Sequence, residues 1–333
     1  MAKAVRPIAA YRAPRPLRLQ VAALPLLAGC AGEQSVFSPF GVEAESTLTL
    51  TWAMAISLGL IAIGVLWLAF HAWRARPERM DHKKGMRMVL WLGGIGPALF
   101  LGIMLALSLP KMRAMDLADD DLNVAVDGEQ FWWRVRYLPP GGEPVEAANE
   151  IRIPVGRTVA FDLDSPDVIH SFWIPGLAGK LDMVPGRTNR LVVRATRPGT
   201  FRGVCAEFCG LSHANMAFDV VAMEPADFDR WLAAQAQPAG PAQGPGGELF
   251  QAYGCAGCHS VRGHGPVSAI GPDLTHFGSR RSLGAGTLPM APAETAAFIR
   301  DSSVAKPGSL MPAFPGMSDA DAAAIAAYLH GLR

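Results

Sequence analysis

Thirteen consecutive residues, "VCAEFCGLSHANM" at 204–216, hold two cysteines, a glutamate, a histidine and a methionine. Thiolates, an imidazole and a thioether at that density suit three chemistries: a zinc site, a disulfide loop or a copper centre. The spacing is Cys205-x3-Cys209-x3-His213-x2-Met216. A mononuclear blue-copper site takes one Cys, two His and a weak axial Met, so the second thiolate is one more than a single copper needs. Two coppers bridged by two thiolates would use both, with one imidazole on each metal. "DVIHSFWIPGLAGKLDMVPG" at 167–186 offers the second imidazole, His170, at the end of a strand-like run. His170, Cys205, Cys209 and His213 would also complete a Cys2His2 zinc site, which leaves Met216 without a task.

A second chemical motif lies downstream. "CAGCH" at 255–259 has the C-x-x-C-H pattern of covalent c-type haem attachment. Cys255 and Cys258 would form the thioethers, and His259 would face the iron. A Met/His pair gives a high-potential carrier, and Met290, Met311 and Met317 all follow. Met311, in "SLMPAF" just before the last helix-like segment, stands where class I cytochromes c place their sixth ligand. "IGPDL" at 270–274 resembles the turn that supports the haem histidine there. A zinc knuckle or a redox dithiol would also use the cysteine pair, but neither needs the adjoining His or the trailing Met-Pro.

These residues need elements to hold them. A chain of 333 residues has room for two or three domains. With 50% hydrophobic and 18% charged residues, and a mean hydropathy of +0.21, membrane spans are expected. A net charge of +1 argues against nucleic acid as a partner. Five cysteines suit a disulfide framework poorly. Residues 1–29 read as a secretory signal peptide, with a basic start and a short apolar run. "LAGC" resembles the bacterial lipoprotein box, which makes Cys30 the expected lipid anchor. Residues 30–45 follow as an outer-face segment, then 46–73 and 88–110 as two transmembrane helices, each covering the roughly 20 residues a bilayer needs. The loop 74–87 between them carries Arg74, Arg76, Arg79, Lys83, Lys84 and Arg87 against Glu78 and Asp81. That excess places it in the cytoplasm and everything after residue 110 outside. From 117 to 235, short β-branched and aromatic runs alternate with Pro/Gly turns and end in one short helix, which indicates a sandwich or barrel. Residues 236–246 are a Pro/Gly/Ala linker. Residues 247–333 are a small α domain whose last helix opens at an N-cap, Ser318.

The segments "DVIHSFWIP", "GKLDMVPG" and "CAEFCGLSHANM" resemble subunit II of the haem–copper cytochrome c oxidases over roughly 46–235. With its C-terminal cytochrome, the chain resembles the caa-type bacterial enzymes. The resemblance implies a multi-domain fold: a two-helix transmembrane hairpin, an all-β cupredoxin Greek-key barrel and an all-α class I cytochrome c domain. It implies the dinuclear copper centre CuA, with Cys205 and Cys209 bridging, His170 and His213 giving ring nitrogens, and Met216 a weak ligand. Glu207 would give its backbone carbonyl to copper, and its side chain would reach a magnesium ion at the contact with subunit I. A cytochrome c or another haem-protein donor would reduce haem c, held by Cys255, Cys258, His259 and Met311. Electrons would then reach CuA and haem a of subunit I, where haem a and CuB serve oxygen reduction to water coupled to proton translocation. Subunit III is a further expected partner. The expected location is the bacterial plasma membrane, with the CuA and haem domains on the periplasmic face.

Two departures from the family stand out. The family's electron-input position usually holds a Trp, whereas "DGEQFWW" puts Phe131 there with Trp132 beside it, and Trp133 reads as barrel core. The second span, "MRMVLWLGG", lacks the glutamate often found at its start, so no proton-uptake role falls to this chain. Asp164, Asp167 and Asp182 offer two readings, an acidic docking patch for a basic donor or simply a solvated rim. Two other functions keep part of the picture: a CuA subunit of a nitric oxide reductase, and a membrane-tethered copper-binding or delivery protein. The covalent haem and the "HSFWIP" and "KLDMVPG" blocks favour the oxygen enzyme.

Overall fold

A computed structural model describes residues 32–75, 81–112, 122–240 and 244–333. The signal segment 1–29 and the anchor Cys30 lie outside the described residues. Helix α1 (Val42–Arg74) opens ahead of the expected span, because Glu43 and Glu45 in its first turn favour the positive end of the helix dipole. Helix α2 (His82–Met88), a π-helical stretch (Val89–Ile95) and α3 (Gly96–Ser108) form the second apolar run. Helix therefore reaches back into the expected loop, where Lys83, Lys84, Met86 and Arg87 are strong helix formers. Both runs are long and apolar enough to cross a membrane, and no other described part of the chain covers them.

The β domain stands directly on α1. Phe40 is fully buried and stacks on Phe201 with ring centroids 3.4 Å apart. Its N–H donates to Gly176 O and its carbonyl accepts from Thr196 N, both at 2.7 Å. Thr196 Oγ1 then donates to the Glu45 carboxylate on α1 at 2.5 Å.

Ten strands follow: β1 (Leu122–Glu129), β2 (Trp132–Leu138), β3 (Val145–Ala148), β4 (Glu150–Pro154), β5 (Thr158–Asp164), β6 (His170–Trp173), β7 (Leu181–Met183), β8 (Asn189–Arg194), β9 (Gly199–Cys205) and β10 (Ala217–Met223). They form two five-stranded sheets, in the orders β3-β2-β1-β5-β8 and β4-β10-β9-β6-β7. The β1–β5 and β10–β4 pairs are parallel and the others antiparallel. Burial alternates along β1 and β2, so their inner residues face the second sheet. Trp133, Phe172 and Phe218 meet there, with Phe172 and Phe218 stacked at 4.9 Å. This aromatic layer floors the end of the sandwich that carries the chemistry. Helix α4 (Pro225–Gln235) closes the domain.

The C-terminal domain packs α5 (Gly246–Ala252), α6 (Pro292–Arg300) and α7 (Asp319–Gly331) beside a two-stranded hairpin, β11 (Ser282–Leu283) and β12 (Leu288–Pro289). Ser318 caps α7 as expected, its Oγ accepting from Asp321 N at 3.0 Å. Helix α5 meets α7 at Gly246, where a Cβ would lie 2.1 Å from Ala324 O, so only glycine allows the approach. The start of the expected linker is held down. Arg262 donates to Gln235 O (2.7 Å) and Ala236 O (3.1 Å), and His276 Nε2 lies 3.1 Å from Gln237 O.

Candidate functional site

Antiparallel pairing of β6 with β9 sets Phe172 opposite Cys205 and brings His170 to the same end of the sheet. The β9–β10 connection then folds back over this end with Glu207, Cys209, His213 and Met216. The two sulfurs, Cys205 Sγ and Cys209 Sγ, lie 3.9 Å apart as free thiols. His170 Nδ1 is 3.8 Å from Cys205 Sγ, and Glu207 O is 3.2 Å from it. At the other end His213 Nδ1 is 3.7 Å and Met216 Sδ 3.8 Å from Cys209 Sγ. His170, Cys205, Cys209 and Met216 are buried.

The donors cluster around the two sulfurs, with His170 and Glu207 O beside Cys205 and His213 and Met216 beside Cys209. His170, Cys205 and Cys209 lie within 4.8 Å of one another, and His213 falls outside that group. One tetrahedral zinc would draw all four donors to within about 4 Å of each other. Two metals sharing the two thiolates would take one imidazole each, and Met216 then has a place. The donor set is soft, buried and oxygen-poor, which suits copper.

The surroundings tune these groups. Cys205 accepts from the Cys209 thiol and from His170, which hold its thiol down to about 3, against the opposing effect of burial. Cys209 keeps the shared proton and is pushed up, by that hydrogen bond first and by burial second. Burial lowers His170, but its contacts to Cys205 and Asp167 outweigh this and raise it overall. Asp167 Oδ1 sits 2.9 Å from His170 Nε2. Burial alone would raise Asp167; donation from the backbone N–H of Val168 and of Gln130, and from His170, brings it below its ordinary value. With Nε2 paired to Asp167, His170 presents Nδ1 to the sulfurs, the atom that would hold a metal once its proton is displaced. Gln130 N donates to Asp167 Oδ2 at 2.7 Å, and Gln130 Nε2 to Cys209 O at 2.5 Å. Gly128 leaves room for the imidazole, since a Cβ there would come within 2.9 Å of His170 Cγ.

The second motif lines a cavity of about 300 Å³, the lower end of the range for cofactor sites. Cys255, Cys258, His259 and Met311 all face it, whereas Met290 and Met317 do not. His259 Nδ1 bonds Pro272 O at 2.8 Å, which leaves Nε2 for the cavity. Burial pushes His259 below its ordinary value and keeps it neutral, as a ligand must be. Gly271 makes the close turn possible, because a Cβ would lie 2.8 Å from His259 Cε1. Two thiols, a neutral imidazole and a thioether around an apolar cavity of this size fit a c-type haem. A half-buried arginine, Arg280, also lines it and donates to Asp273 O.

One wall of that cavity comes from the β domain, from Glu129, Gln130, Phe131 and Trp132. Several hydrogen bonds join the two domains around it. Ser212 Oγ donates to Pro307 O at 2.7 Å, Asn215 Nδ2 to Ala305 O at 3.1 Å, and Ala217 N to Ala285 O at 3.0 Å. Arg281 N donates to the Glu150 carboxylate at 3.0 Å, and Ser282 Oγ to that of Asp219. Lys306 Nζ donates to Phe131 O and, at 2.9 Å, to Gly284 O.

Comparison with known proteins places this arrangement. Residues 136–223 match the model of the cytochrome c oxidase subunit II periplasmic domain, and residues 244–333 that of cytochrome c. The chain is 33% identical over 331 residues to cytochrome c oxidase subunit 2 of Alkalihalophilus pseudofirmus, covering 92% of this chain and 94% of that one. This chain belongs to the cytochrome c oxidase subunit II family. Subunit 2 of Bacillus subtilis is 28% identical, over 95% of this chain and 97% of that one. Among solved structures, the periplasmic domain of subunit II of cytochrome oxidase of Bradyrhizobium japonicum is 28% identical over 36% of this chain and 96% of that one, with a TM-score of 0.34. A subunit II domain implies copper, and a cytochrome c domain implies haem.

Against the sequence expectations, the subunit II domain brings His170, Cys205, Glu207, Cys209, His213 and Met216 to one end of the sandwich. Phe131 is buried at the domain contact, Trp132 lies under the Arg134 guanidinium at 4.7 Å, and Trp133 is core. The three acids do not share one partner or one face. Asp167 turns inward to His170, Asp182 pairs with Lys180 at 2.9 Å, and Asp164 accepts from Thr188 Oγ1 at 3.1 Å. Gln130, Arg280 and Lys306 carry no motif signal in the sequence, because their partners lie in distant segments.

Proposed function

We propose that this chain is the electron-accepting subunit of a cytochrome c oxidase. Electrons from a cytochrome c-type donor would reach it through haem c and leave through CuA to haem a of subunit I. Oxygen reduction to water at CuB and haem a, with proton translocation, belongs to that partner, and subunit III would complete the complex. The observation that carries the reading is the shared wall. The residues that close the haem cavity, Gln130 above all, also hold the carbonyl of Cys209 and the carboxylate behind His170.

Cys205 and Cys209 would bridge the copper pair, His170 and His213 would take one metal each, and Met216 and the Glu207 carbonyl would be the weak donors. The pair supplies a one-electron carrier whose charge is shared by two metals, so that little structure changes with redox state. Asp167 keeps the His170 proton on Nε2 and the lone pair on Nδ1. The aromatic floor of Trp133, Phe172 and Phe218 keeps water from the cluster. Cys255 and Cys258 would anchor the haem, which supplies a high-potential carrier when His259 and Met311 hold its iron. The exposed Glu207 side chain is free for magnesium at the subunit I contact. Phe131, at the family's input position, faces the haem domain, so an external donor would reduce the haem and leave Phe131 and Trp132 to the internal step. The hairpin would sit in the bacterial plasma membrane with both redox domains on the periplasmic face, and Cys30 would add a lipid anchor.

Metal analysis and electron paramagnetic resonance of the full chain test this. Two coppers per chain, with one unpaired electron split by both nuclei, are expected. Cys209→Ser should abolish that signal and leave the haem absorbance intact. One zinc, or one copper with a four-line pattern, overturns the assignment.

A further inference from the structure

Lys306 lies in the loop between α6 and Met311 and is only 4% exposed. Its two partners are carbonyls from different domains, Phe131 O of the β domain and Gly284 O beside β11. Phe131 follows Gln130, whose backbone and side chain hold Asp167 and Cys209 O. The same loop comes close to the copper-binding segment. Gly308 has φ +79°, and a Cβ there would lie 3.2 Å from the Leu211 side chain and 3.3 Å from the Phe131 ring. A surface lysine would contribute little here; a buried one with two carbonyl acceptors leaves both unsatisfied if it is removed.

We propose that Lys306 is a positioning residue, the latch that fixes the haem domain against the copper-binding loop and so sets the gap an electron must cross. The step it serves is balanced. The donor centre on the haem domain loses one electron, the copper-bearing domain gains it, and no bond or proton changes hands. The latch rests on the function proposed above only for the identity of the two centres; the contact itself belongs to the protein.

The test is Lys306→Met in the full, cofactor-loaded chain, with Lys306→Arg as the conservative variant. Two cross-domain amides report the contact: Ala217 N, bonded to Ala285 O, and Arg281 N, bonded to Glu150. In Lys306→Met both should exchange with solvent faster by on the order of tenfold, the effect of two buried carbonyls losing their donor. Photo-triggered transfer from haem to copper should slow by a similar factor, with both midpoint potentials unchanged. Lys306→Arg should recover part of each effect. Unchanged exchange at both amides overturns the latch. A second measurement needs no variant: the wild-type transfer rate should be the same in dilute buffer and in viscous glycerol, and a rate that falls with viscosity describes a domain that swings before it docks, which also overturns it. If the wild type lacks the two-copper signal, the functional reading fails, while amide exchange still decides the latch.

Discussion

Asp167 and His170 are three residues apart in sequence, yet only the loop that ends in β6 turns the carboxylate onto the imidazole. This contact fixes the tautomer that leaves Nδ1 free for a metal. Partners of this kind are worth ten- to a hundredfold in metal affinity. Asp167→Ala should therefore weaken copper binding by about tenfold or more in competition with a chelator. Covalent haem attachment should persist, since Asp167 borders the haem cavity but hydrogen-bonds to Gln130, Ser165, Val168 and His170 of the β domain. Equal copper affinity in the two proteins would make Asp167 a bystander. The cysteines, histidines and methionines were legible at this scale because their spacing is local and their chemistry narrow. Asp167 reads as one more exposed acid until the fold pairs it. Lys306 reads as a solvated lysine for the same reason.

Strands were legible from alternation, and the structure keeps it in β1, β2 and β9. Sequence could not give the register that sets Gly203 of β9 opposite Phe218 of β10. A Cβ on Gly203 would fall 2.1 Å from the Phe218 ring, which stacks on Phe172 in the aromatic layer below the cysteine–histidine cluster. Gly203→Ala must push that ring out of its stack, an overpacking cost of about 1–3 kcal/mol. The denaturant midpoint of the β domain, followed by Trp fluorescence, should fall with little change in slope. An unshifted midpoint would mean that the stack yields freely. Helix ends were less legible than strands: charge marked residues 74–87 as loop, whereas helix propensity extends α2 back to His82.

The docking of the two redox domains was not legible at all, since residues 236–246 read as a free tether and no motif encodes a domain contact. The contact carries its own pH dependence. Burial pushes Lys306 down to about 7, against an ordinary lysine value of about 10.4. Between these values the undocked side chain holds a proton that the docked one has released. Docking is therefore favoured as pH rises, most fully above about 10, and this advantage is lost progressively as pH falls from about 10 to about 7. One released proton makes the docking equilibrium up to about tenfold stronger per pH unit in that window. Protection of the Ala217 amide, corrected for the intrinsic pH dependence of exchange, should rise accordingly from pH 7 to pH 9. Lys306→Met should remove the slope, because no other group in the variant replaces that proton. A flat wild-type profile would mean that Lys306 keeps its charge in the docked state, with the two carbonyls and the Cys209 side stabilising it there. The latch would then hold equally well at every pH at which the chain is folded.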